Sequence, residues 1–366
     1  MNNRRNWLKQ IGLGTIGLGF FQLEAFANPT EEYILPNLDN SPILLRSNEN
    51  PYGPSPLART AMTKSINTSN RYGWTLWPEL ITLIAKKNNV SDNNITLGAG
   101  STEILDLVLQ YTASKKGNFI MAETTFDYWT APYEKLGLKK ITIPLTKDKK
   151  HDLPAMLKAI DSETKMIYIC NPNNPTGTIC NREELVSFIN EASKKAIVFV
   201  DEAYIDFTKE QTLTNLVIEN KNVIITKTFS KMYGLAGARV GYAVAHSATI
   251  DEINNFKSSP NMSVSVVSAT AAIASLNDEN FIRQVYTSNE EVKKYTIEQL
   301  TKLNLECIPS YSNFVYFSLE NYKKDYFKQL ESHNIMGTRI YEENGKWTRI
   351  TIGTLKEMQR FIAAIN

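Results

Sequence analysis

Residues 196–204 read Ala196-Ile197-Val198-Phe199-Val200-Asp201-Glu202-Ala203-Tyr204. An unbroken apolar run rich in β-branched residues stops abruptly at two carboxylates and a tyrosine. A run without polar alternation suits a strand buried on both faces, as in a parallel sheet covered by helices. Two more runs end in the same manner. Residues 166–170 lead into Asn171-Pro172-Asn173-Asn174-Pro175-Thr176-Gly177, and 223–226 lead into Lys227-Thr228-Phe229-Ser230-Lys231. Residues 118–122 supply a fourth strand candidate, and helical patterns occupy 102–111 and 183–194. The alternation predicts an α/β fold with a mostly parallel sheet. Ligands in such sheets bind beyond the carboxyl ends of the strands. Three polar strand ends in succession therefore predict one shared site.

The chain has 366 residues, more than one ordinary core organises, so a second, smaller unit is expected. The texture changes after residue 268: long helical stretches at 269–276 and 281–303 precede alternating strands at 314–318 and 347–352. We therefore expect a large ligand-binding α/β domain over 59–270 and a smaller α+β domain over 271–366. Residues 28–58 would form an N-terminal arm and part of the small domain.

The first 27 residues read as an address. A short basic start, an 11-residue apolar stretch at 11–21 and the small-x-small site Ala25-Phe26-Ala27 make the tripartite pattern of a secretory signal. Eleven apolar residues fall short of the roughly 20 a membrane-spanning helix needs. Arg4-Arg5-Asn6-Trp7-Leu8-Lys9 resembles the twin-arginine export motif, which implies passage through that machinery in a folded state and a periplasmic or exported location, with a cytoplasmic one as the alternative. Arg4, Arg5, Lys9 and Glu24 account for the whole formal charge of +2, leaving 37 basic and 37 acidic residues downstream. A neutral body gives no electrostatic reason to expect a nucleic-acid or membrane-surface partner. Three cysteines without a Cys-x-x-Cys pair form neither a disulfide framework nor a zinc site. His151, His246 and His333 show no ligand spacing and read as surface or loop residues.

The polar strand ends suit a particular chemistry. A cofactor with an aldehyde, a pyridine nitrogen and a phosphate needs an amine, a carboxylate, phenolic-oxygen donors, an aromatic face and an anion cradle. Ser101-Thr102 follow Gly98-Ala99-Gly100 at an expected helix start, where free N–H groups favour a phosphate. Thr228, Ser230 and Arg239 add hydroxyls and a positive charge. Asp201, at the end of a buried strand, would be costly unless it met a cation such as a protonated pyridine.

These residues carry a family resemblance. The chain resembles fold-type-I pyridoxal-phosphate enzymes of the class I/II aminotransferases, and is most similar to their histidinol-phosphate aminotransferase branch. The matching segments are 48–56, Arg71-Tyr72, 98–103, 173–177, 201–204, Ser230-Lys231 with Arg239, and 349–354, in family order. The resemblance implies that Lys231 forms the Schiff base with pyridoxal 5'-phosphate, in preference to Lys227, which reads as a solvated lysine. Asp201 would pair with the pyridinium, and Asn174 and Tyr204 would hydrogen-bond the phenolic oxygen. Ser101, Thr102, Thr228, Ser230 and Arg239 would hold the phosphate. Tyr72 would reach that phosphate from a second subunit, which implies a homodimer. Arg349 would clamp the substrate carboxylate as a fork.

The implied reaction moves an amino group between an amino acid, or an amino-acid-like phosphate, and a 2-oxo acid. Decarboxylation, β-elimination and cofactor binding without turnover stand as alternatives on the same fold. The chain departs from the family pattern in three places, the last two where substrate selection is expected. Residues 123–129, Glu123-Thr124-Thr125-Phe126-Asp127-Tyr128-Trp129, put the ring-stacking aromatic at Trp129, with Tyr128 next. Arg71-Tyr72 runs into Gly73-Trp74, and Thr338-Arg339 is offset from the branch's Val-Arg pair. Tyr52, Trp74, Trp77 and Trp129 suggest an aromatic or bulky amino donor, with Tyr52 at the substrate.

Overall fold

The run 196–204 forms a strand over Ile197–Asp201, buried throughout, in a computed structural model that describes residues 41–366. The expected signal segment 1–27, and the arm up to residue 40, lie outside the described residues. Residues Ile43–Asn366 cluster as one unit that contains three sheets.

A two-residue strand, β1 (Ile43–Leu44), precedes the seven strands of the main sheet. These are β2 (Ile95–Gly98), β3 (Gly117–Ala122), β4 (Leu138–Ile143), β5 (Thr164–Cys170), β6 (Ile197–Asp201), β7 (Val223–Thr228) and β8 (Gly241–Ala245). Their spatial order is β2-β8-β7-β6-β5-β3-β4. β8 runs antiparallel to both neighbours and every other pairing is parallel. The sheet is thus mixed and mostly parallel, an α/β arrangement.

Side-chain alternation divides the core into two layers. Ile167, Ile169, Val198, Val200, Val223 and Ile225 face one side. They pack with residues of the helices Leu76–Asn88, Arg182–Ala192 and Val266–Leu276. Met166, Tyr168, Cys170, Ile197, Phe199 and Ile224 face the other, against the helices Ser101–Ala113 and Ser247–Asn254. Four of the main sheet's strands, β2, β6, β7 and β8, are buried at every position, and β3 and β5 at all but one, which explains the continuous apolar runs.

After the long helix Glu279–Lys302 come β9 (Cys307–Ile308), β10 (Phe314–Ser318), β11 (Ile335–Met336), β12 (Ile340–Glu342) and β13 (Trp347–Thr351). The order β12-β13-β10-β9 makes an antiparallel sheet, while β11 pairs in parallel with β1. Val315, Phe317 and Ile350 pack with Val292 and Leu300 of the long helix and with Phe361 of the C-terminal helix Leu355–Ile365.

Register places the expected strand ends side by side. Cys170 lies opposite Asp201, and Asp201 opposite Thr226. Thr228 lies opposite Gly241, which in turn lies opposite Gly98. One edge of the sheet therefore gathers the polar ends of β5, β6 and β7 and the glycine-rich turn after β2.

Candidate active site

That edge opens into a cavity of about 490 Å³. Ser101, Thr102, Asn174, Asp201, Tyr204, Thr228, Ser230, Lys231, Arg239 and Arg349 all line it. These residues come from segments up to about 250 positions apart: the register of the main sheet gathers the ends of β5, β6 and β7, and β13 of the smaller sheet brings Arg349.

Lys231 follows β7 in the turn Ser230-Lys231-Met232. Its Nζ donates to the Ser47 carbonyl at 2.9 Å and lies 5.8 Å from the Tyr204 ring centroid. Burial, with the neighbouring Arg349 and Arg239 guanidinium groups, lowers its pKa from 10.5 to about 8. A lysine tuned in this way is partly neutral, and so nucleophilic, near physiological pH.

Asp201 is 2% exposed. Its Oδ2 accepts from the Tyr168 hydroxyl at 3.0 Å and its Oδ1 from the Ala203 N–H at 3.0 Å. Burial raises its pKa from 3.8 to about 6. Tyr204 lies on the other side of the cavity floor, its hydroxyl accepting from Asn48 Nδ2 at 2.9 Å and Asn174 Nδ2 at 3.3 Å. Burial raises the Tyr204 phenol above its ordinary value, with Arg349 opposing. Arg349 is 6% exposed. It donates to Asn174 Oδ1 and to the Arg46 carbonyl, while its buried Nε has no partner among the described residues.

The anion cradle is built from backbone as much as from side chains. Gly100, with φ +79°, caps the helix Ser101–Ala113, whose start no side chain caps. A Cβ on Gly100 would fall 2.1 Å from Arg239 Nη2, and one on Gly241 would fall 2.3 Å from the Ser101 nitrogen. Only glycine permits these approaches. Thr228 Oγ1 donates to Ser230 Oγ at 2.9 Å and accepts from the Ser230 N–H at 3.1 Å. Arg239 donates to the Ala99 carbonyl at 3.2 Å. Open N–H groups, hydroxyls and a guanidinium converge here, the donor set a phosphate requires.

Several expectations move. Trp129 is buried against Tyr168 and Phe199 at centroid distances of 5.0 and 6.0 Å, beneath the cavity and not in its wall. A 3₁₀ turn over Tyr128–Thr130 turns it inward, and Phe126 and Tyr128 line the cavity instead. Trp77 is also core, its indole donating to the Val264 carbonyl at 2.8 Å. Tyr52 lines a separate small pocket with Asn50 and Phe207, outside the cavity wall of its own chain. Tyr72 is 69% exposed beside Trp74 and likewise lies outside its own chain's cavity. Lys227 is not solvated: strand alternation sends it to the face opposite Thr228, where it is buried 3.8 Å from Glu202. Burial disfavours its charge, but Tyr242, Asp206 and Glu202 together raise its pKa above the ordinary value. His151 is buried too, its Nε2 within 2.9 Å of the Cys170 carbonyl, and burial lowers its pKa to about 4.

Arg46, Asn48, Phe126 and Tyr341 are wall residues that no role was expected of, whereas Tyr128, the second choice for the ring-stacking aromatic, and Arg339, of the offset pair, do reach the wall. Arg339 lies 5.4 Å from the Tyr128 ring centroid and 5.1 Å from that of Tyr341. The motif 48–56 was a signal for Asn48, and residues 123–129 for Phe126. Nothing local marks Tyr341.

Residues 40–365 match the family model for aminotransferase class I and II. The chain belongs to the class I and II aminotransferases. Histidinol-phosphate aminotransferase of Moorella thermoacetica is 34% identical over 88% of this chain and 84% of its own length. An aromatic amino acid aminotransferase of Cutibacterium acnes is 31% identical over 88% and 92%. The crystal structure of a putative histidinol-phosphate aminotransferase from Erwinia carotovora atroseptica superposes with a TM-score of 0.84, at 30% identity, over 88% of this chain and 95% of that one. The aminotransferase is accordingly a pyridoxal-phosphate-dependent enzyme of fold type I. Its residues fit that cofactor: a buried carboxylate, an open helix start and a lysine of lowered pKa all front the same cavity.

Proposed function

We propose that the aminotransferase acts on α-amino acids whose carboxylate docks on Arg349, with Lys231 as the proton-transferring base. The observation that supports this most is the opening of Lys231, Asp201 and Arg349 onto one cavity. Bound pyridoxal phosphate supplies an aldehyde that bonds amines and a ring that accepts electrons from Cα. Lys231 Nζ, once released, takes the proton from the donor's Cα and holds it for return, since a base must lie within hydrogen-bond reach of what it moves. Asp201 holds the ring nitrogen in its charged form, Asn174 and Tyr204 hold the phenolic oxygen, and the 98–102 turn with Thr228, Ser230 and Arg239 anchors the phosphate. Arg349 fixes the carboxylate and with it the orientation of Cα. The donor side chain extends towards Phe126, Tyr128, Arg339 and Tyr341, which favours a bulky or aromatic group.

Two further features belong to the same reading. An exposed aromatic pair, Tyr72 and Trp74, supports a homodimer in which Tyr72 completes the partner's site. The segment 1–27, with Arg4-Arg5, supports twin-arginine export to the periplasm, and fractionation with detection of the processed chain checks it. The catalytic reading is tested by mixing the cofactor-loaded enzyme with single amino acids. We expect pyridoxamine phosphate and the matching 2-oxo acid in one turnover. Release of CO₂ or ammonia instead would assign the fold's decarboxylating or eliminating chemistry.

A further inference from the structure

Gly337, Thr338, Arg339 and Tyr341 reach the cavity from one short stretch of chain at the end of β11 and along β12. β12 is an edge strand, and its register against β13 slips between Ile340 and Glu342, so Tyr341 is an extra residue in a bulge. Bulges re-aim side chains but weaken the ladder that holds them. The strand is held by something else.

Glu342 supplies that hold. Its Oε2 lies 2.7 Å from Lys149 Nζ and its Oε1 accepts from the Tyr316 hydroxyl at 2.7 Å. Lys149 also lies 4.9 Å from the Trp347 ring centroid, and Trp347 stacks on Tyr316 at 5.3 Å and 17°. The far end of Lys149 is fixed as firmly. It occupies a left-handed position, φ +59°, in a turn closed by its N–H to the Thr146 carbonyl, and its own carbonyl accepts from Thr178 Oγ1 at 2.7 Å. Thr178 ends the 171–178 loop that carries Asn174, the partner of Arg349. Lys149 therefore stands between the loop that sets the carboxylate site and the strand that sets the side-chain site. An isolated exposed ion pair contributes little. This one is mostly covered, shares its carboxylate with a tyrosine and lies along an aromatic face, which is where charge-assisted bonds hold geometry.

We propose that Lys149 and Glu342 are positioning residues for substrate selection: their ion pair docks the Arg339–Tyr341 strand on the Asn174 loop and so fixes the distance between carboxylate and side-chain subsites. The proposal rests on the transamination reading above. Neither residue touches the reacting atoms, so breaking the pair leaves the chemistry intact and loosens only the discrimination between donors.

The test uses the cofactor-loaded full chain and the variants Lys149→Met, Glu342→Gln and Lys149→Glu/Glu342→Lys. For the single variants, we expect cofactor absorbance and kcat to stay within about twofold of wild type, on the ground that a positioning loss falls on binding. KM for the largest donor accepted should rise about fivefold to tenfold, while KM for L-alanine, which lacks a side chain long enough to reach β12, stays constant. Amide exchange over 338–343 should speed up in both single variants. The charge-exchanged double variant should recover both readouts. Equal KM changes for the large donor and alanine, unaltered exchange over 338–343, or no recovery in the double variant would overturn the proposal alone. Absence of single-turnover conversion by the wild type with every amino acid would overturn the transamination reading and this proposal with it.

Discussion

Asp201 ends β6 with its carboxylate buried between the Tyr168 hydroxyl and the Ala203 N–H. A pKa raised from 3.8 to about 6 means that the folded protein binds this proton more tightly than the unfolded chain does. The sign follows from linkage: the stabilising share is present below about pH 4 and is lost as pH rises through about 6. At neutral pH the buried charge costs on the order of 3 kcal/mol in the cofactor-free protein. Asp201→Asn should therefore raise the melting temperature of the cofactor-free chain at pH 7.5, with the gain shrinking below about pH 6. In the loaded enzyme the same change would remove the proposed partner of the ring nitrogen, and kcat should fall by about 100-fold to 1,000-fold, the range for losing one preorganised electrostatic partner. Calorimetry and steady-state rates on one preparation check both halves. Stability unchanged by Asp201→Asn would mean that the carboxylate is not strained in the empty site.

The strand ends act as a set because β5, β6 and β7 pair in register, and the cradle depends on β8 passing close beside the turn after β2. Gly241→Ala would put a methyl 2.3 Å from the Ser101 nitrogen. Displacing that helix start should weaken cofactor affinity about tenfold or more and cost about 1–3 kcal/mol of stability, read by equilibrium dialysis and denaturant unfolding. The four parallel strands named from sequence were legible because burial on both faces makes them continuously apolar. β8, Gly-Tyr-Ala-Val-Ala at 241–245, was not, because glycine and alanine carry little strand propensity and only its place between β2 and β7 holds it extended. Asp201, Tyr204, Asn174 and Lys231 were legible because each sits in a motif at or just beyond a strand's end, and Arg349 because its motif is itself a strand. Trp129 was misplaced by a 3₁₀ turn that reverses which aromatic faces the cavity. Tyr341 was hidden by a bulge. Lys227 was misjudged because its partner Glu202 lies on the neighbouring strand's end, a pairing visible only in three dimensions.

At the scale of the whole molecule, the cavity of one chain includes both ends of the cofactor's donor set but not Tyr72, which lies exposed beside Trp74. A partner chain would bury both rings and bring a hydroxyl to the phosphate. Sedimentation should find a species of twice the chain mass. Tyr72→Phe, which keeps the ring and removes the hydroxyl, should leave that mass unchanged and weaken cofactor binding about tenfold to 100-fold, the worth of one hydrogen bond to a charged group. A monomeric, fully active enzyme would contradict the shared site. The neutral downstream balance of 37 basic and 37 acidic residues fits a molecule whose positive charge is used locally, at Lys231, Arg239 and Arg349.

We propose that Lys231, and not Lys227, is the lysine that bonds the cofactor. Two lysines lie four residues apart, and the fold separates them: Lys231 lines the cavity, whereas Lys227 lies on the opposite face of β7 beside Glu202. Borohydride reduction of the loaded enzyme, followed by digestion and peptide mass spectrometry, tests this directly. One pyridoxyl adduct is expected, on Lys231, and none in Lys231→Ala. An adduct on Lys227, or full turnover by Lys231→Ala, would contradict the proposal.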